Sequence, residues 1–235
     1  MLYIIQNDAN VPPGNILEHL PVPHTVLHPY TGQQLPPAEK VSALIVLGGA
    51  MGANDDRKHP FLTDVKVLIR RVVALNIPYL GICLGGQLLA AAMGGKVASH
   101  RWEELGILPV VLTVDGREDR LFAELPLVFQ TFQWHHDSFD IPPGGTRLAF
   151  SKACHNQAFR VGSSAWGLQF HPEVTEQIIR DWSAWDSATA LKAEELVAEF
   201  AGNAARYAAT ARQLVRNFTE IAGLQLCTDK PASTL

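Results

Sequence analysis

Tyr79-Leu80-Gly81-Ile82-Cys83-Leu84-Gly85-Gly86-Gln87-Leu88 holds the centre of this 235-residue sequence. Tyr79 to Ile82 is a short β-leaning apolar run, and Gly86 to Met93 reads as a helix that Gly94-Gly95 closes as a C-cap. A strand that passes straight into a helix must turn sharply at Cys83. Glycines two positions to either side give that turn room, in the pattern Gly-x-Cys-x-Gly, a cysteine form of the nucleophile elbow.

Upstream, Leu2 to Ile5, Thr25 to Leu27 and Ala43 to Leu47 read as strands, the last stopping at Gly48-Gly49. Asn54-Asp55-Asp56 offers polar caps before a helix whose Val65, Leu68, Ile69, Val72 and Val73 follow the i, i+3, i+4, i+7, i+8 stripe. Strand, helix, strand, helix predicts an α/β fold, a mostly parallel central sheet with helices on both faces. Downstream the pattern changes. Ile107 to Val114, Val128 to Gln133, Leu148 to Phe150, Ala158 to Val161 and Gly167 to Phe170 are strand-like with little helix between them, and read as added, partly antiparallel strands. After Pro172 the chain turns helical. Val197, Phe200, Ala204, Tyr207, Ala211, Leu214 and Phe218 mark a packing face against the sheet rather than a partner-binding helix. The expected organisation is a single domain over residues 1–227 and a loose polar tail over 228–235.

Composition narrows the function. With 47% hydrophobic residues, and 19 basic against 23 acidic side chains, the chain is neither disordered nor basic enough for nucleic acid or an anionic membrane to be its main partner. Ile77 to Gly95 has the apolarity of a membrane span, but Pro78, Gln87 and five glycines fit a soluble strand-turn-helix better. Cys83, Cys154 and Cys227 form no CxxC pair, which argues against a disulfide framework or structural zinc. The amino terminus carries no secretory pattern, so a reducing cytoplasm is the expected location.

The chemistry starts from Cys83. At the amino end of a helix, the dipole and unpaired N–H groups favour a thiolate and can hold an oxyanion. A buried structural cysteine is the plainer alternative. A nucleophile needs a base, and the base needs an orienting group. Gln169-Phe170-His171-Pro172-Glu173 supplies both. Pro172 favours an extended His171, and residues i and i+2 of an extended segment share a side, so Glu173 can fix the imidazole. Gly48-Gly49-Ala50-Met51-Gly52 lacks both phosphate-loop spacings and reads either as a tight turn or as an amide donor. In the donor reading, Gly49 and Leu84 form a two-amide oxyanion hole. Cys154-His155 is read as coincidence, since neighbours in a strand face opposite ways. A metal at His135-His136 finds no supporting carboxylate-histidine spacing, so none is expected.

Gly81-Ile82-Cys83-Leu84-Gly85-Gly86-Gln87, followed by His171-Pro172-Glu173 and preceded by Gly48-Gly49, resembles the class I (triad) glutamine amidotransferases, in particular the amidotransferase domain of GMP synthase. The resemblance implies a flavodoxin-like domain without a cofactor. Cys83 attacks the glutamine side-chain amide to form a γ-glutamyl thioester and release ammonia. His171 shuttles the proton, and Glu173 orients it. It further implies that Gly48, Gly85, Gln87, His135, His136 and Asp137 contact the substrate. Ala50 stands where the family commonly has proline, and no acceptor domain or P-loop is evident in the sequence. Three functions compete: a glutaminase feeding a separate synthase, a free-standing γ-glutamyl hydrolase or peptidase, and a non-catalytic, redox-sensing relative.

Overall fold

In the computed structural model, residues 1–224 are described except 21, 101 and 186; Cys227, the boundary at 227 and the tail over 228–235 lie outside the described residues. The chain runs β1 (Leu2–Ile5), α1 (Asn15–His19), β2 (His24–Leu27), β3 (Ala43–Val46), α2 (Phe61–Ala74), β4 (Tyr79–Ile82), α3 (Leu84–Ala92), β5 (Val97–Ala98) and β6 (Glu104–Leu112). It continues through α4 (Val114–Glu118), β7 (Val128–His135), β8 (Ser138–Phe139), β9 (Gly145–Phe150), β10 (Ala158–Val161), β11 (Ala165–Leu168), α5 (Glu176–Ser183), α6 (Ser187–Ala190) and α7 (Ala193–Ile221). The described residues form a nine-stranded sheet in the order β2-β1-β3-β4-β11-β10-β9-β6-β7. Neighbours are parallel from β2 to β11 and antiparallel from β11 to β7. This is the α/β, flavodoxin-like sheet with an antiparallel extension.

The strands β1, β3 and β4 are apolar on both sides because both sides are covered. Leu2, Ile4, Ala43, Ile45, Leu80 and Ile82 share one core with Leu214, Val215 and Phe218 of α7. Ile5, Leu44, Val46 and Tyr79 share the opposite core with Val65, Leu68, Ile69 and Val72 of α2 and with Leu88 and Leu89 of α3. The period-2 alternation of a strand deals its side chains to the two helical layers in turn. The long stripe on α7 is buried as expected, except for half-buried Ala204. None of the described helices is both long and apolar enough to cross a membrane.

Several boundaries differ from expectation. Asn54-Asp55-Asp56 caps no helix: α2 starts at Phe61, after Pro60. Asp55 instead accepts from the Gly52 amide at 2.9 Å, and Asp56 accepts from Thr63 Oγ1 at 2.8 Å and Lys66 Nζ at 2.7 Å, tying the loop to the helix side. The strand expected over Ile107 to Val114 runs from Glu104 to Leu112. Thr113 ends it, because its hydroxyl accepts from the Gly116 amide at 3.0 Å and starts a helical turn. The central helix begins at Leu84, two residues before the expected start. A short antiparallel pair, β5–β8, lies outside the strands the sequence predicts.

Candidate active site

Three loops meet where adjacent parallel strands end. β4 lies between β3 and β11, so the segments after Val46, Ile82 and Leu168 emerge side by side at the carboxyl edge, where open α/β sheets place their ligands. Cys83 sits between β4 and α3 with φ 49° and ψ −106°, a conformation that a side chain rarely adopts. The Cys83 amide donates to Leu168 O at 2.8 Å, and its carbonyl accepts the Gln87 amide at 3.0 Å, so β11 and α3 grip it from two sides. The flanking glycines are sterically required. A Cβ on Gly81 would lie 2.4 Å from the Gly85 carbonyl, and one on Gly85 would lie 2.0 Å from Val46 O. The side of Gly85 on which a side chain would stand therefore packs against β3.

His171 lies beyond β11, and its amide bridges to Phe132 O at 2.8 Å. Its Nδ1 faces Glu173 Oε1 at 2.6 Å; a carboxylate only accepts, so Nδ1 carries the proton and Nε2 is left for Cys83, whose charge also acts on the ring. Glu173 is fully buried, and its other side-chain oxygen has no partner among the described residues. Burial pulls the imidazole pKa down, but the charges of Glu173 and Cys83 and the hydrogen bonds to both outweigh it and push His171 up to about 10. Trp182 packs edge-on against the ring at 5.0 Å between centroids. The Tyr207 hydroxyl donates to His171 O at 3.0 Å and accepts the Val174 amide at 2.7 Å. This arrangement fits a cysteine-histidine-carboxylate triad.

The triad opens into a cleft of about 470 Å³. Of the residues singled out from sequence, Cys83, His171, Gly49, Gln87, His135, His136 and Asp137 line it. Gly48, Leu84, Gly85 and Glu173 lie behind them. A Cβ on Gly48 would come 3.3 Å from His171 Cε1 and 3.7 Å from Cys83 Cβ, and one on Gly49 would come 2.9 Å from the Leu84 side chain, so the two-glycine loop packs against the imidazole and the Cys83–Leu84 turn. Asp137 organises the far wall. Its carbonyl accepts from Gln87 Nε2 at 3.2 Å and from His135 Nδ1 at 3.1 Å, while its carboxylate accepts from Ser99 Oγ at 2.8 Å and the His100 amide at 3.2 Å. His136 stays exposed, 3.8 Å from Glu103.

Sequence reasoning missed Glu104, Gln169, Trp182 and Tyr207. Glu104 is buried at the start of β6 and accepts from Ser151 Oγ at 2.7 Å and Gln157 Nε2 at 2.5 Å, with His135 Nε2 at 3.2 Å. Glu104, His135 and Cys154 bring their ligand atoms within 4.8 Å of one another, a group that could hold a metal ion and that no sequence spacing reveals. These carboxylate oxygens already accept hydrogen bonds, so an ion would have to displace them. Cys154 lies in the loop between β9 and β10, not in a strand; it is buried beside Ser138, while His155 is exposed. The only available signal for Gln169 was its position two residues before His171.

Residues 16–179 match the family described as glutamine amidotransferase class-I. A glutamine amidotransferase-like protein of Salmonella typhimurium, YfeJ, is 31% identical over 154 residues, which is 64% of each chain. One subunit of the glutamine-hydrolysing GMP synthase of Methanocaldococcus jannaschii is 33% identical over 138 residues, 58% of this chain and 66% of that one. The matched stretches thus span just under two thirds of these relatives. The crystal structure of a glutamine amidotransferase from Thermotoga maritima superposes with a TM-score of 0.84 at 31% identity, covering 93% of this chain and 97% of that one. The chain belongs to the class I glutamine amidotransferase family.

Proposed function

We propose that the protein hydrolyses the side-chain amide of glutamine and passes the ammonia to a separate acceptor enzyme. The observation that carries this reading is His171, buried between the Cys83 thiol and the Glu173 carboxylate at the floor of an open cleft. At neutral pH the imidazole is charged, since its pKa is pushed up to about 10. It therefore begins the cycle as an acid, and the nucleophile is drawn from the thiolate form of Cys83. The sulfur attacks the amide carbon, and the oxyanion that forms is held by the Gly49 and Leu84 amides. His171 gives its proton to the departing nitrogen, leaving a γ-glutamyl thioester and ammonia. Neutral His171 then takes a proton from water, the hydroxide adds to the thioester, and the thiolate leaves with glutamate formed. Glu173 keeps the proton on Nδ1 throughout. Gln87, His135, His136 and Asp137 hold the substrate from the far wall, with Gly48 packed beside His171 and Cys83.

A relative named as one subunit of a glutamine-hydrolysing synthase supports a separate acceptor. The chemistry requires a reduced Cys83, which suits the cytoplasm. One observation favours a second reading, hydrolysis of an N-substituted γ-glutamyl compound: Trp134, Trp182 and Trp185 line the cleft and form an aromatic wall that an amide –NH₂ leaving group does not need. Glutamate release from glutamine and from a panel of γ-glutamyl amines and dipeptides, wild type beside Cys83→Ala, tests both. Release from glutamine that vanishes in the variant supports the first reading, and faster release from the substituted compounds selects the second. Release from any of them that persists in Cys83→Ala overturns the mechanism.

A further inference from the structure

The geometry points to Gln169 as a further catalytic residue, one whose side-chain amide holds negative charge on the Cys83 sulfur. Gln169 is fully buried, and its Nε2 lies 3.6 Å from Cys83 Sγ, a hydrogen-bond length for the larger sulfur atom. Gln169, His171 and Glu173 alternate along the segment after β11, while Phe170 points into the core shared with α7. The sulfur therefore has this amide as a donor beside the charged imidazole.

The direction of the amide follows from a chain of hydrogen bonds that can run only one way. The Asp137 carbonyl can only accept. Gln87, 3.2 Å away, must turn its –NH₂ toward it. The same –NH₂ lies 3.4 Å from Gln169, which must therefore present Oε1. The Gln169 –NH₂ is thereby left facing sulfur. The Gln169 backbone amide donates to Gln157 O at 2.8 Å and anchors the residue independently of this chain. A thiolate accepts such a bond more strongly than a thiol, because hydrogen bonds to charged groups are the stronger class. The bond is worth most when the thioester breaks and the sulfur regains its charge. The inference rests on Cys83 being the nucleophile, as proposed above.

The test measures alkylation of Cys83 by iodoacetamide from pH 5 to 9, read by mass spectrometry of the Cys83 peptide, in the full chain and in Gln169→Leu. Leucine keeps the volume and removes the donor. The expected result is an alkylation midpoint moved up by about one pH unit and an alkylation rate on the acid limb slower by about tenfold, which is the weight of one charge-assisted hydrogen bond. The kcat for glutamine should fall with KM little changed. An unchanged midpoint in a variant with wild-type thermal stability overturns the inference. Should Gln169→Leu not fold, Gln169→Glu keeps the acceptor for Gln87 and faces the sulfur with a carboxylate; its midpoint should rise further, and one at the wild-type value is equally fatal. The two readings fail separately. A shifted midpoint without glutamate release from glutamine rejects the proposed substrate alone. Full glutamine turnover with an unmoved midpoint rejects the role of Gln169 alone.

Discussion

At the scale of single residues, a rare backbone conformation and a strongly shifted charge meet at Cys83 and His171. Cys83 is held at positive φ, and His171 ionises far above an ordinary histidine. The histidine titrates near 6.5 in an unfolded chain and near 10 in the fold. Its contribution to stability is therefore complete below about pH 6.5 and is lost as the pH climbs through 10. Denaturant titrations at pH 7 and pH 10 should show this loss in the wild type and a smaller one in Glu173→Gln, where the main charge raising the imidazole is gone. Equal losses in the two proteins would contradict the pairing. The same substitution should lower kcat for amide hydrolysis by roughly a hundredfold, the scale of general acid-base catalysis.

Elements set these residues in place through backbone contacts, and the contacts make their own predictions. Helix α3 lies so close to β3 that no side chain fits at Gly85, where a Cβ would come 2.0 Å from Val46 O. Gly85→Ala should destabilise the fold by about 1–3 kcal/mol or more, since only backbone movement can relieve the clash. It should also slow Cys83 alkylation, because α3 carries the turn. Helix α7 reaches the site through one hydroxyl. Tyr207→Phe leaves the buried Val174 amide and His171 carbonyl each short of a partner and should cost about 1–3 kcal/mol, measurable as a lower unfolding temperature. Local patterns made the strands β1, β4 and β10 readable to the residue: Gln6-Asn7 and Gly162-Ser163 end the first and last, and the elbow at Cys83 ends the middle one. They misplaced the start of β6, because Glu104 is a charged residue at a buried strand end and its partners Ser151 and Gln157 lie far along the chain. Asn54 to Asp56 misled in the opposite sense, since good capping residues were used by a turn.

For the whole molecule, the i, i+2 spacing of His171 and Glu173 and the glycines around Cys83 could be read from sequence because each is a short-range constraint. Their meeting depends on strand order, which puts β4 next to β11 despite the six strands between them in the chain. Tyr207 shows the same limit: periodicity marked it as one of seven packing residues and could not reveal its hydroxyl under the active site. The buried group of Glu104, His135 and Cys154 likewise joins β6, β7 and the loop before β10. Since its carboxylate is already occupied by hydrogen bonds, exhaustive chelation should leave the unfolding temperature unmoved, as differential scanning calorimetry would show; a drop would reveal a resident ion. The strand order also acts as a clock during synthesis. Cys83 and Gln169 lie 86 positions apart. While a ribosome is still making the intervening segment, the cysteine has neither its acid partner nor the edge on which the strained turn rests. Until β11 has been made and has docked beside β4, Cys83 lacks both the Leu168 carbonyl that grips its amide and the Gln169 side chain that reaches its sulfur.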